Sequence, residues 1–246
     1  MRRLFYRGKL EETIEITGAD AHHLMHVMRA RAGDEIVVVD DANRAALMEM
    51  TAFSEEAVSL RLKECMELPQ ESPVDITLAQ CLLKADKMEF VVQKAVELGA
   101  RHVVPLVARN CVVRYDAKKR EERQKRWQRI ADEAAKQCGR RALMEVSPIE
   151  ELHPFLSHDM GGEERLFLFC YENETVKSVK ECLRQSDASR VTLLIGPEGG
   201  FTPEEAAAVE AHGGISVTMG SRILRAETAA VAALSVVQYE KGDLGG

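Results

Sequence analysis

The 246-residue chain has little from which to build covalent or metal cross-links. Its six cysteines, at positions 65, 81, 111, 138, 170 and 182, are widely scattered and form no C-x-x-C pair. That argues against a zinc site or a disulfide framework and suits a reducing compartment; most of them read as small core residues. No apolar run is long enough to cross a membrane. The stretch Met1-Arg-Arg-Leu-Phe-Tyr-Arg7 lacks the apolar centre of a signal peptide, so a cytoplasmic protein is expected. Internal repeats and low-complexity segments are lacking too. Two familiar nucleotide signatures are missing as well. No Gly-Lys-Ser/Thr follows the glycines at 196–200, which excludes a P-loop, and their spacing is not the G-x-G-x-x-G of a dinucleotide-binding turn.

The net charge of −7 argues against indiscriminate nucleic-acid binding, yet the charge is uneven. Between Arg101 and Arg141 there are thirteen Lys/Arg against five Asp/Glu, a surplus of +8, and the rest of the chain carries −15. One basic surface on an acidic protein can select RNA while limiting non-specific adhesion. The same residues also read as the solvated face of a helix.

Residues 1–70 read as β-rich, with strands over 13–16, 35–39, 45–50 and 57–62 between turn-prone Gly33-Asp34, Asp40-Asp41 and Asn43. A short helix over 20–31 interrupts them, with Asp20 as its N-cap. Strands this short and this closely spaced predict a small barrel. His22 and His26 lie one helical turn apart, but no third metal ligand is evident nearby. Either His22, Arg29, Arg2 and Arg3 touch RNA phosphates, or the histidines are a partly buried helix face. The proline-flanked stretch 69–73 is the expected linker.

From Val74 strands and helices alternate. A strand over 75–83, an amphipathic helix over 84–98 closed by Gly99, and a strand over 103–107 make a right-handed βαβ unit. A charged helix over 118–138 follows, stopped by Gly139. It turns Trp127, Ile130 and Ala134 inward and leaves Arg123, Arg126 and Arg129 for solvent or RNA. Trp127, the single tryptophan, reads as a core anchor or as a base-stacking platform. A strand over 165–170 and a helix over 175–184 come next.

The strand 191–195 runs into Gly196-Pro-Glu-Gly-Gly200, a loop whose glycines let a ligand sit against the main chain. Thr202, Pro203 and Glu205 form a capping box, so a helix starts there and ends at Gly213-Gly214. A strand over 215–219 leads into a second glycine-bearing loop and an alanine-rich helix reaching about residue 240. In parallel α/β sheets, ligands bind where such loops cluster at the carboxyl ends of strands. Physical reasoning alone thus predicts a backbone-lined small-molecule pocket.

The two loops carry a resemblance. Leu194-Ile-Gly-Pro-Glu-Gly-Gly-Phe201, paired with Met219-Gly-Ser-Arg-Ile-Leu-Arg-Ala-Glu-Thr-Ala229, closely resembles the ribosomal RNA small subunit methyltransferase E family of the SPOUT superfamily. Lys84-Ala-Asp-Lys-Met-Glu89, Lys94-Ala-Val-Glu-Leu-Gly99, Pro105 through Arg109, Arg126-Trp127 and Glu133-Ala-Ala-Lys-Gln-Cys-Gly-Arg140 extend the likeness. The stretch His22-His-Leu-Met-His-Val-Met-Arg29 resembles its N-terminal helix. Met219 stands where leucine is usual, Ala226 where threonine is, and Cys138 where serine is common.

The resemblance implies an α/β fold with a PUA-like β-barrel RNA-binding domain over 1–70. A trefoil-knotted, parallel-sheet methyltransferase domain would cover 74–246. It implies S-adenosylmethionine as cofactor, held by Ile195, Gly196, Pro197, Gly199, Gly200, Met219, Gly220, Ser221, Ile223 and Leu224. It implies methylation of N3 of a uridine in 16S (small-subunit) ribosomal RNA, with naked RNA and the assembled 30S subunit both open as substrate. A homodimer through the knot is implied too. Arg2, Arg3, His22, Arg29, Lys84, Arg109, Arg123 and Arg126 are the candidate RNA contacts. Uracil N3 must lose a proton, so Glu227 and Glu198 are candidate bases, and Arg225 is placed to stabilise charge on the uracil oxygens. Glu227 equally reads as a carboxylate at a helix N-terminus, while Arg222 and Arg225 could grip a phosphate or the cofactor carboxylate. A SPOUT enzyme with another RNA target and a non-catalytic RNA-binding module are the competing readings.

Overall fold

A computed structural model describes residues 3–68, 70–158 and 164–245. The chain divides into two compact units, Met1–Glu71 with Ala135–Ala142, and Ser72–Ala134 with Leu143–Gly246.

In the first unit β1 (Arg3–Tyr6), β2 (Thr13–Thr17), β3 (Glu35–Asp40), β4 (Ala45–Phe53) and β5 (Ala57–Met66) make one sheet in the order β1-β3-β4-β5-β2, an open half-barrel. Alternate side chains of β3 point to opposite faces. Ile36 and Val38 join a core with Met48, Met50, Val58 and Leu60, while Val37 and Val39 pack with Ala45 on the other face. β1, which sequence patterning did not mark, runs parallel to β3 with Leu4 opposite Val38. The buried Asp40 ties the β3–β4 turn. Its carboxylate accepts from the Ala42 and Arg44 N–H groups at 2.9 Å, from Leu10 N–H at 3.2 Å and from Arg44 Nε at 2.8 Å.

The helix expected over 20–31 is shorter and irregular. α1 (Gly18–His22) follows Thr17 as N-cap, a π-helical turn covers His23–Val27, and the chain reverses at Arg29 with φ +53°. The wide turn keeps Leu24 buried among the half-barrel side chains. Asp20 does not cap the helix; its carboxylate pairs with Lys136 Nζ at 2.8 Å. Glu71 fastens Ala135–Ala142 into the same unit. It accepts from Arg140 Nη2 at 2.7 Å and from the Arg141 and Ala142 N–H groups at 2.8 and 3.1 Å.

The second unit is an α/β layer structure. Its strands are β6 (Asp75–Cys81), β7 (His102–Val107), β8 (Glu145–Val146), β9 (Glu150–Glu151), β10 (Arg165–Cys170), β11 (Arg190–Ile195) and β12 (Ile215–Val217). They pair wholly in parallel in the order β12-β10-β11-β6-β7-β8, with β9 also on β7. Central strands buried on both faces explain why 191–195 is apolar on both faces apart from the buried Thr192. The helices are α2 (Lys87–Glu97), α3 (Ala117–Cys138, whose residues from Ala135 on belong to the first unit), α4 (Leu152–Leu156), α5 (Val179–Arg184), α6 (Pro203–Ala211) and α7 (Ala226–Lys241). Trp127 is buried at 2% exposure, a core anchor rather than a stacking platform.

Several elements are shorter than the sequence pattern predicts, among them β6, which stops at Cys81 rather than at 83. α2 begins at Lys87, not at 84, because 84–86 form a turn with Ala85 at φ +52°. α5 begins after Ser178, whose side chain and Glu181 form a capping box. Residues 176 and 177 instead donate their N–H groups to the Glu174 carboxylate. The strand expected over 215–219 stops at Val217, and Thr218 exchanges backbone hydrogen bonds with Lys177 and Val179. α6 has the expected Thr202–Glu205 capping box. In α7, Ala226, Ala229, Ala230, Ala233, Leu234 and Val237 are buried at helical spacing, and these small side chains let it lie close over β6 and β11 beside α2 and α5.

Candidate active site

The loops leaving the carboxyl ends of β10, β11 and β12 enclose a cleft of about 820 Å³. Nine of the ten residues expected to hold a cofactor line it, together with Glu198 and Arg225. Gly199 is not at the wall. It is held behind it, where Asn110 Nδ2 donates to the Gly199 and Gly200 carbonyls at 3.1 and 3.2 Å. The glycines leave little room for a side chain. A Cβ at Gly196 would meet the Phe201 ring at 3.1 Å, one at Gly199 the Asn110 Cβ at 3.0 Å, and one at Gly200 Glu172 Oε1 at 3.0 Å. Glu205 is nearly fully buried and braces the loop, accepting the Arg109 N–H at 2.7 Å and the Thr202 N–H at 3.0 Å.

Several lining residues were not singled out from the sequence. Cys170, the last residue of β10, and Tyr171, Glu172, Glu174 and Thr175 after it form one side of the cleft. The signal for them was the strand itself: a third parallel strand must release its loop at the same edge. Val176 and Lys177 N–H groups, with the Ser216 hydroxyl, hold Glu174 down to about 2.

The second omission is Lys87, the first residue of α2. Its Nζ lies 3.5 Å from Glu198 Oε1 and 3.2 Å from Glu227 Oε2. Glu198 Oε1 also accepts the Lys84 N–H at 3.2 Å. Burial pushes the Glu227 carboxyl up, but its own N–H, the Lys87 ammonium and the Arg225 charge outweigh that and hold it below the usual range. Glu227 is therefore an ionised carboxylate at neutral pH. Arg225 is the N-cap residue of α7 and is exposed at the cleft wall.

The candidate RNA contacts fall in separate places. In the second unit Lys84 and Arg109 are exposed beside the loops just described. Arg123 and Arg126 are not independent cations: Arg126 Nε and Nη2 grip Glu89 at 2.7 and 2.9 Å, and Arg123 lies 3.7 Å from the same carboxylate and over the Tyr115 ring. In the first unit His22 and Arg29 are exposed, the His22 and His26 rings stand 4.5 Å apart, and Arg3 lies against Gly139. Arg2 falls outside the described residues. A second cleft, about 590 Å³ in the first unit, has Arg44 and Arg141 at its rim but no glycine cradle.

Comparison with known proteins shows the family. Residues 70–238 match the model of an RNA methyltransferase domain, and residues 16–63 match an RNA methyltransferase PUA domain. The Bacillus subtilis ribosomal RNA small subunit methyltransferase E is 32% identical over 98% of this chain and 97% of its own length. The Synechocystis protein of the same name is 32% identical over 93% of this chain and 73% of its own length. The Neisseria gonorrhoeae ribosomal RNA small subunit methyltransferase E, solved with bound S-adenosylmethionine, superposes with a TM-score of 0.89 at 31% identity, covering 99% of both chains. Fold and cleft thus define an S-adenosylmethionine-dependent RNA methyltransferase. More narrowly, the chain belongs to the ribosomal RNA small subunit methyltransferase E family.

The residues present fit the cofactor. The cleft volume suits a ligand of that size, the glycine-lined rim offers bare backbone, and Ile195, Val217, Met219 and Leu224 give an apolar wall. Exposed Glu172 stands at the same rim, where a cationic or hydroxyl-bearing ligand would find an acceptor.

Proposed function

We propose that this protein methylates N3 of a uridine in 16S (small-subunit) ribosomal RNA. The observation that carries this reading is the pairing of Lys87 with both Glu198 and Glu227: Lys87, Glu198 and Arg225 line the glycine-bearing cleft, and Glu227 lies behind that lining, held to it by Lys87. S-adenosylmethionine supplies an electrophilic methyl on a sulfonium. The chain must then place a nucleophile in line and make it nucleophilic.

Uracil N3 is an imide nitrogen and attacks poorly until its proton is gone. Glu227, ionised and close to Arg225, is the residue we assign as proton acceptor. Its lowered basicity is offset if Arg225 hydrogen-bonds the uracil oxygens, because charge spread onto those oxygens makes N3–H more acidic. Glu198 shares the Lys87 ammonium and closes the other side. Ile195, Gly196, Pro197, Gly200, Met219, Gly220, Ser221, Ile223 and Leu224 would hold the cofactor, with Gly199 braced behind them.

Arg3, His22 and Arg29 on the PUA unit, and Lys84, Arg109, Arg123 and Arg126 on the catalytic unit, would meet RNA phosphates. Arg126 and Arg123 would do so with part of their charge answered by Glu89. We also infer a cytoplasmic homodimer formed through a trefoil knot. The isolated parallel bridge between Thr218 and Ser178, which draws the loop after β12 against the segment before α5, and Ile223 left 87% exposed at the cleft, support it.

The test starts with calorimetric titration of S-adenosylhomocysteine, where a micromolar Kd corresponds to about −8 kcal/mol. Small subunits lacking the modification are then incubated with protein and labelled cofactor, and the product nucleoside is identified. N3-methyluridine supports the proposal. A 2′-O-methyl product, or label in transfer RNA, would replace it with another RNA target, and RNA binding without product would indicate a non-catalytic module.

A further inference from the structure

We propose that Lys87 is the positioning residue of this site: it latches the glycine loop to the start of α7 and so fixes both candidate carboxylates. The inference deepens the function proposed above and rests on it. One ammonium reaches Glu198, three residues beyond β11, and Glu227, the second residue of α7. The turn leading into α2 adds a second hold on Glu198 through the Lys84 N–H.

Helix stability does not account for this placement. A cation at the first position of a helix opposes the macrodipole, and Asp86, the N-cap residue, makes no capping hydrogen bond with its side chain. The turn that delivers Lys87 carries Ala85 in the left-handed region, where side chains with a Cβ are disfavoured. Half-exposed ion pairs add little to folding. A strained turn bearing a charge of the wrong sign for its helix is the kind of local conflict found at functional positions. The chemistry gives it a use. When Glu227 takes up a proton, Lys87 remains paired with Glu198, so the loop stays in place through the step.

Other charged groups around the cleft are Glu172 and Glu174 after β10, Glu198 after β11, and Arg222 and Arg225 before α7. Among these, Lys87 is the one that touches both carboxylates.

The test compares Lys87→Met and Lys87→Arg in the full-length protein. Hydrogen exchange is measured first without cofactor. Lys87→Met should raise exchange at 196–200 and 226–229 about tenfold or more, and Lys87→Arg should keep it near wild type, on the logic that the charge forms the latch. In turnover with small subunits, Lys87→Met should lower kcat roughly 10²-fold with KM for RNA little changed, as for a misplaced catalytic group. The acid limb of its kcat–pH profile should move to higher pH, because Glu227 loses the charge that favours its ionised form. Lys87→Arg should restore both. Wild-type exchange and an unmoved acid limb in Lys87→Met would overturn the proposal, as would a Lys87→Arg as impaired as Lys87→Met. If Lys87→Met fails to fold, Glu198→Gln takes its place, since cutting the same latch from the other end should loosen 196–200. Absence of any product from wild-type protein would count against the methyltransferase reading instead, while exchange would still decide the latch.

Discussion

Gly200 and Gly213 both sit in the left-handed region, at φ +68° and +84°, yet only Gly200 lines the cleft. Replacing each by alanine separates the cost of the backbone conformation from the cost of crowding the site. At Gly213 a Cβ meets nothing within 4 Å, so Gly213→Ala carries the conformational term alone, about 1–2 kcal/mol. In a chain of this size that lowers Tm by roughly 2–8 °C. At Gly200 the same term applies, and the new methyl comes within 3.0 Å of Glu172 Oε1 and 3.2 Å of its Cδ. Glu172 is exposed, so it can swing away at little cost to folding, but it swings at the rim of the cleft.

The expected pattern is therefore asymmetric. Both variants lose a similar amount of stability in thermal melts, while only Gly200→Ala weakens S-adenosylhomocysteine in calorimetry, by about tenfold or 1.4 kcal/mol. Asparagine tolerates left-handed angles better than alanine, so Gly213→Asn should regain part of the lost Tm. A Gly213→Ala protein as stable as wild type would refute the backbone argument. A Gly200→Ala protein that binds the ligand normally would refute the assignment of that backbone to the cofactor.

Other expectations concern the scaffold. Burial alone would raise Asp40, but the Arg44 side chain and the N–H groups of Arg44, Leu10 and Ala42 bring it down to about 2. A carboxyl lower in the folded than in the unfolded state stabilises fully above its unfolded value near ~4 and loses that stabilisation as pH falls through its folded value. Denaturant titrations from pH 7 to 2 should show wild type losing stability between about pH 4 and 2. Asp40→Asn, weaker by roughly 1–3 kcal/mol at pH 7, should show a shallower dependence, the remainder coming from other lowered carboxyls such as Glu174 and Glu71. Glu71→Ala removes the carboxylate that pairs with the buried Arg140 and accepts the Arg141 and Ala142 N–H groups, and should cost about 1–3 kcal/mol and expose 135–142 to hydrogen exchange. Trp127→Ala, truncating a side chain 2% exposed, should cost about 3–5 kcal/mol. Unfolding of the wild type should red-shift its single-tryptophan emission.

Local patterning carried much of the fold. The strand expected over 165–170 is β10 to the residue, and the Thr202–Glu205 capping box stands as read. What patterning could not reach was either too short or paired with distant chain. β8 and β9 have two residues each, too few for any period. β1 has four and owes its extended form to pairing with β3. The apolar spacing over 20–31 suited an α-helix, but burying Leu24 and ion-pairing Asp20 favoured a π turn and a reversal at Arg29.

The site divides the same way. Its glycine loops are contiguous in sequence, so they could be read directly. Lys87 belongs to the site only through topology. β6 and β11 pair in parallel with Gln80 opposite Ile195, so the chain leaves both strands at one edge of the sheet. Seven residues on from Gln80 comes Lys87, and three on from Ile195 comes Glu198. α7 then returns over these same two strands and lowers Glu227 onto the pair. A one-residue slip of the β6–β11 register would shift the two loops by about 3.3 Å, further than the 3.2 and 3.5 Å ion pairs could span without rebuilding the turn at Ala85. The strand register is thus itself a determinant of the proposed catalytic geometry, and the buried residues that fix it, Leu78 and Ala79 facing Leu193 and Leu194, would act on the proposed chemistry without touching the cleft.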